Sequence, residues 1–182
     1  MLLRDVVYGL KYYYSQASEA EKIVVGGATV AAGASAIGGF IPFFEIPALI
    51  ISCVGAVWAM YLSICDCLNI PIGKNILKVL ASAALSNIAG NLASVFAVEL
   101  ITCMIPGIGS AAGAAATFAC VYLAGIMFLN MLLALAKKGL IAKDLGKVSE
   151  KDLKSVLADQ TPTKESVKEA KNVFKKNATG TT

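Results

Sequence analysis

Two long apolar blocks alternate with three basic segments along this chain. From Ile23 to Ile64 the only charged residue is Glu45, and from Val79 to Ala136 the only one is Glu99. All sixteen Lys and Arg lie before Ile23, between Cys65 and Val79, or after Ala136. The first block is about twice the roughly 20 residues that one membrane-crossing helix needs, so it must double back. Ile41-Pro42-Phe43-Phe44-Glu45-Ile46-Pro47 supplies the turn, because Pro42 and Pro47 lack backbone donors and bias the residues before them away from helix. The pattern predicts helices over 23–40 and 46–65. The second block predicts helices over 75–104 and 111–138, joined by Ile105-Pro106-Gly107-Ile108-Gly109-Ser110.

The expected fold is therefore all-α and integral to a membrane, with four helices in two Pro/Gly-turned hairpins (23–65 and 75–136). An interfacial N-terminal helix (1–22) precedes them and a basic tail (137–182) follows. The two turns are similar enough to be compatible with an internal duplication, or with convergence on an Ile-Pro turn. Composition supports the membrane placement: 57% of residues are hydrophobic and 15% charged, against about 25% charged in soluble domains, and the mean hydropathy is +0.71. With every Lys and Arg on one side of the hairpins, the positive-inside rule puts the N- and C-termini in the cytoplasm. The predicted helix over 23–40 would span on the order of 27 Å, slightly short of a roughly 30 Å hydrocarbon core. Full spans and re-entrant double hairpins both fit the charge pattern.

Small residues crowd that first helix, including Gly26, Gly27, Gly33, Gly38 and Gly39, and Gly109 and Gly113 open the last one. Small faces let helix backbones approach closely in lipid. They serve either packing within one chain or assembly into an oligomer. Glu45 and Glu99 are the two turn or intramembrane carboxylates, and no basic residue shares their side of the membrane. They fit turn chemistry or, in an oligomer, the mouth of a cation-preferring pore.

Candidate chemistry is otherwise sparse. The chain has no His, which removes imidazole metal ligation, the Ser-His-Asp triad and the Cys-His pair; no catalytic, metal or cofactor site is expected, and the chain is read as non-enzymatic. Five cysteines in an odd count without CxxC spacing do not make a disulfide framework. Cys65 and Cys67 sit where a helix leaves the membrane, a position suited to lipidation. Tyr8, Tyr12, Tyr13 and Tyr14 give the N-terminal segment an aromatic belt. In the tail, Ser149 to Asp152 forms a capping-box-like start, and a second helix over 163–176 sets Val167, Ala170, Val173 and Phe174 among Lys164, Lys168, Lys171, Lys175 and Lys176. Those lysines are candidates for lipid or partner contact. Nucleic acid is not an expected partner, since acids intervene and stacking aromatics are missing.

Three motifs, Ile41-Pro42…Glu45-Ile46-Pro47-Ala48, Asn69-Ile70-Pro71-Ile72-Gly73-Lys74, and Ile105-Pro106-Gly107-Ile108-Gly109-Ser110-Ala111-Ala112-Gly113-Ala114, resemble a family of helical membrane domains of unknown function associated with Era-like GTPases. The resemblance covers residues 23–136. It implies a membrane anchor or effector module controlled by a GTPase. Gly73-Lys74 is not a P-loop, because Leu68 stands where the motif needs Gly, so any GTPase acts in trans. The sequence thus predicts a membrane anchor or remodelling module that recruits or answers a cytoplasmic partner. The alternative is a small oligomeric channel or pore assembled through Gly/Ala-rich faces. A third reading, a water-soluble bundle that inserts when triggered, is disfavoured because helices 2 to 4 have no polar face.

Overall fold

The computed structural model describes residues 2–38, 45–74, 76–88, 109–139, 148–160 and 162–179. Among these residues it is all-helical: α1 (Leu3–Leu10), α2 (Ala17–Gly38), α3 (Glu45–Cys67), α4 (Ile76–Ile88), α5 (Gly109–Lys137), α6 (Glu150–Ala158) and α7 (Lys164–Thr179). No strand occurs among them.

The N-terminal segment is not one interfacial helix. Leu3, Val6, Val7 and Leu10 repeat at helical spacing and bury one face of α1, and the chain then turns over 11–13. The amides of Tyr13 and Tyr14 close that turn on the Leu10 carbonyl at 2.9 and 2.8 Å. Next, α2 begins at Ala17 rather than Ile23, because the polar stretch ahead of the apolar block is itself helix-competent. Its Lys22 ammonium donates to Glu19 one turn back at 2.8 Å.

Helix ends follow their local chemistry. Pro47 lies in the first turn of α3, where a helix needs no donor from it, so it belongs to the helix and not to the preceding turn. At the other end of α3, Asn69 takes a left-handed φ of 54° and the Ile70 amide reaches back to the Cys65 carbonyl at 2.8 Å. That is a Schellman-type stop, with Asn in the position glycine usually fills. Gly139 ends α5 in the same region with φ 79°. In the tail, Ser149 caps α6 by accepting from the Asp152 amide at 3.2 Å. Before α7, Thr163 and Ser166 exchange bonds, amide to hydroxyl, at 3.0 and 3.2 Å.

Helix α5 is the axis of the fold and packs against α1, α2, α3, α6 and α7. Every residue from Val121 to Leu129 is buried, more than two turns, so no face of that stretch meets solvent. Tyr61 of α3 stacks on Phe128 with ring centroids 4.0 Å apart, and its hydroxyl donates to the Ala124 carbonyl at 2.9 Å. Against α2, Gly125 brings the backbones together: a Cβ there would lie 2.6 Å from a Val24 methyl carbon. A hydroxyl pair, Thr117 to Ser35 at 3.0 Å, joins the same two helices. The α4 helix buries Leu77, Leu80, Ala81, Ala84 and Ile88 and sets the Lys78 ammonium 5.2 Å from the Trp58 ring centroid.

Candidate functional site

One helical stretch among the described residues, Gly113–Lys137 within α5, is long and apolar enough to cross a membrane, with mean hydropathy 2.2. By length and composition it would suit a bilayer, yet 83% of its most apolar window is covered by other parts of the protein. Core helices of soluble proteins pass the same test. The chemistry of the site is therefore the chemistry of that covering.

Helix α7 runs antiparallel to α5, as its contacts show in order. Asn130 hydrogen-bonds Gln160 just ahead of α7. Next, Met127 and Leu123 meet Thr163 and Ser166 around a cavity of about 30 Å³, room for about one or two waters and no ligand. Lower down, Tyr122 lies beside Glu169, and Phe118 packs on Phe174 with centroids 5.4 Å apart. At the far end the Asn177 side-chain amide donates to the Thr29 hydroxyl of α2 at 3.3 Å.

Besides the Asn177–Thr29 bond, three polar fastenings hold the covering in place among the described residues. Asn87, at the end of α4, points its side-chain amide at the carbonyls of Leu157, Ala158 and Gln160 at 3.4, 3.1 and 2.9 Å. Those carbonyls lie at and just beyond the end of α6, where intrahelical donors run out. Asn130 to Gln160 pins the same connector to α5. The third is the half-buried Glu169 carboxylate, which accepts from the Leu3 amide at 3.1 Å and lies beside Tyr122, so α1, α5 and α7 meet at one group. Burial, the largest influence, pushes its carboxyl above the usual range, while the Leu3 amide, the Tyr122 hydroxyl and the chain's amino terminus pull it down and Asp5 pushes it up.

The residues singled out from sequence distribute unevenly around this core. Glu45 is the first residue of α3 and Pro47 the third; Glu99, Pro42, Pro106, Gly107 and Gly39 lie outside the described residues. Gly38 closes α2 and Gly109 opens α5, and Gly113 is buried in α5. Gly27 stands 3.5 Å, as a Cβ, from Met60, whereas Gly26 and Gly33 have nothing within 4 Å. Cys65 is buried and Cys67 half-buried; the Cys67 thiol is pushed up by burial and then by the Glu19 carboxylate. Lys164, Lys168, Lys171, Lys175 and Lys176 are all exposed. No cluster of three or more His, Cys, Asp or Glu suited to a metal occurs among the described residues.

Sequence reading passed over Asn87, Asn130, Gln160, Glu169 and Gly125. The two asparagines carried a signal, being amides isolated in apolar runs, where each needs a buried partner. No family model matches the chain, and no curated protein or solved structure matches it.

Proposed function

We propose that this chain is a non-enzymatic membrane-anchoring and remodelling module whose apolar helices are covered by α1, α6 and α7 until a partner engages the tail. The observation that carries this reading is that the helix best suited to a bilayer lies beneath amphipathic helices from both ends of the chain. Those helices supply the polar outer face that α3 and α5 lack.

The covered arrangement is not the one in which α5 crosses a membrane. Between Asn130 and Phe118, α7 follows α5 for about 18 Å at 1.5 Å per residue, and its exposed side carries Lys164, Lys168, Lys171 and Lys175. With α5 spanning, those ammonium groups would sit at hydrocarbon depth at about 2.5–3.5 kcal/mol each, on the order of 10 kcal/mol for four, before snorkelling offsets part of it. Spanning therefore requires that α7 leave α5. Tail and anchor are then coupled: whatever captures the tail favours insertion, and this is how a cytoplasmic partner would control the module. The partner class that the turn motifs imply is a GTPase acting from another chain.

Alkaline extraction of membranes from cells producing the full chain, followed by identification of co-purifying proteins with a deletion after Lys138 as control, tests this reading. Retention in the alkali-resistant pellet and a partner lost on deletion support it; release by alkali overturns the anchor. A second reading, an oligomeric channel, draws on the outward row of Gly26, Val30 and Gly33, where Val30 is 74% exposed and both glycines are open. Conductance across a planar bilayer from a homogeneous oligomer that is unaffected by the tail deletion would favour it.

A further inference from the structure

We infer that the outer edge of α7 is a docking surface for anionic lipid headgroups while α7 is still packed on α5. The inference rests on the reading of the chain as membrane-associated, and it names the surface that makes first contact.

Lys164, Lys168, Lys171 and Lys175 are spaced 4, 3 and 4 along α7, and at 100° per residue they fall within about 60° of arc. All four are exposed. The row is about 16 Å long at 1.5 Å per residue. The acids of the helix are on a different flank: Glu165 and Glu169 lie about 100° and 140° around from Lys164, and Glu169 is turned toward the Leu3 amide of α1. A solvated helix has no need of such segregation, and interspersed charges would hold it equally well through i, i+4 pairs. Charge of one sign gathered on one exposed edge is what an anionic surface attracts.

The packing decides how that surface is used. An amphipathic helix alone binds a bilayer by sinking its apolar face between headgroups. Here Val167 and Ala170 are buried and Phe174 is packed on Phe118, so the apolar face is occupied and docked α7 can hold a membrane only through its ammonium groups. First contact is then electrostatic, salt-sensitive and non-penetrating. Nucleic acid is the weaker occupant, since no aromatic ring is interleaved with the row to stack a base.

The test is binding of the purified full chain to extruded vesicles of phosphatidylcholine, with and without phosphatidylserine, at low and high salt. The variant is K164Q/K168Q/K175Q, and K164R/K168R/K175R is the control for a merely structural effect. Each lysine near an anionic surface is worth roughly fivefold in partitioning, so the glutamine variant should bind serine-containing vesicles about 100-fold more weakly at low salt. The arginine variant should bind like the parent, and high salt should erase the difference. Equal binding of parent and glutamine variant to anionic vesicles would overturn the inference. Alkali resistance of the chain reports separately on the anchor, so either can fail alone.

Discussion

Replacing Gly125 with alanine puts a methyl group where α5 comes closest to its neighbours. The new Cβ would stand 2.6 and 2.8 Å from the two methyl carbons of Val24 and 3.2 Å from the Met60 sulfur. Carbon atoms in contact prefer about 3.5–4.0 Å, so the overlap with Val24 is close to 1 Å. Met60 is flexible and can move aside. Val24 cannot, because a β-branched side chain in a helix has essentially one χ1 rotamer. Relief must come from separating α2 and α5, and overpacking of this kind costs about 1–3 kcal/mol. Against it stands the ordinary gain of about 0.5–1 kcal/mol for alanine over glycine inside a helix. The net is a loss of about 1 kcal/mol, or a Tm lower by about 2–4 °C in a chain of this size.

The same substitution at Gly26 is the internal reference. Nothing lies within 4 Å of a Cβ there, so only the helix term operates and Gly26→Ala should raise Tm by a similar amount. Thermal unfolding followed by far-ultraviolet circular dichroism, in one buffer or detergent for all variants, reads both. Val24→Ala combined with Gly125→Ala removes the clashing methyls, and the pair should recover about 1 kcal/mol relative to the sum of the singles. If Gly125→Ala stabilises as much as Gly26→Ala, α2 and α5 do not approach as described and the central packing is wrong.

Glu169 predicts a pH dependence. Its carboxyl is raised above the ordinary carboxylate range, chiefly by burial, so the folded state holds this proton more tightly than the unfolded state does. The resulting stability is full below 4.5 and is lost as pH climbs through the raised value. Glu169→Gln keeps an acceptor for the Leu3 amide without the titration, so the Tm difference, parent minus variant, should fall as pH rises through that window; a flat difference refutes it. Tyr61→Phe keeps the stack on Phe128 but deletes the buried bond to Ala124, a cost of about 1 kcal/mol by chemical unfolding; no change would mean the hydroxyl is not paired as observed. Asn87→Ala with Asn130→Ala removes both fastenings of the connector between α6 and α7. Trypsin should then cut faster within α6 and α7, and an unchanged cleavage rate would show that apolar packing alone holds the tail.

How much was legible in advance follows from what each residue needs. Helices α2 to α5 announced themselves through long charge-free runs, and α6 and α7 through apolar residues at helical spacing; α1 did not, because residues 1–22 read as one interfacial helix. What those amphipathic faces cover was not legible, because Val167, Ala170 and Phe174 require only something apolar, and lipid meets that requirement as well as Phe118 does. The glycines show the same limit: Gly26 and Gly27 are neighbours with identical chemistry, and only the placement of Met60 sets them apart. Gly125 is the only glycine between Gly113 and Gly139, and with Ala124 it interrupts a bulky run, where so short a break marks a close approach more sharply than a crowd of small residues. Glu169 could be located on the border of the α7 apolar face, but its partners are Leu3 and Tyr122, far away in sequence.

That ambiguity between lipid and protein as the apolar partner has an energetic counterpart. Moving α5 from beneath α1, α6 and α7 into hydrocarbon exchanges one apolar environment for another, and lipid tails are about as apolar as leucine. The large burial terms for α5 therefore nearly cancel. What does not cancel is polar: the Asn87 amide on three carbonyls, the Asn130–Gln160 bond, and the Glu169 carboxylate between Leu3 and Tyr122. At about 1 kcal/mol net for each neutral bond, with burial of the Glu169 carboxylate offsetting what its own bond contributes, these contacts amount to a few kcal/mol. A lysine row on an anionic surface supplies about 1 kcal/mol per residue, which is the same scale. On the proposed reading, a few hydrogen bonds on one side and a few surface charges on the other would then decide whether the apolar helix is covered by its own chain or by a membrane.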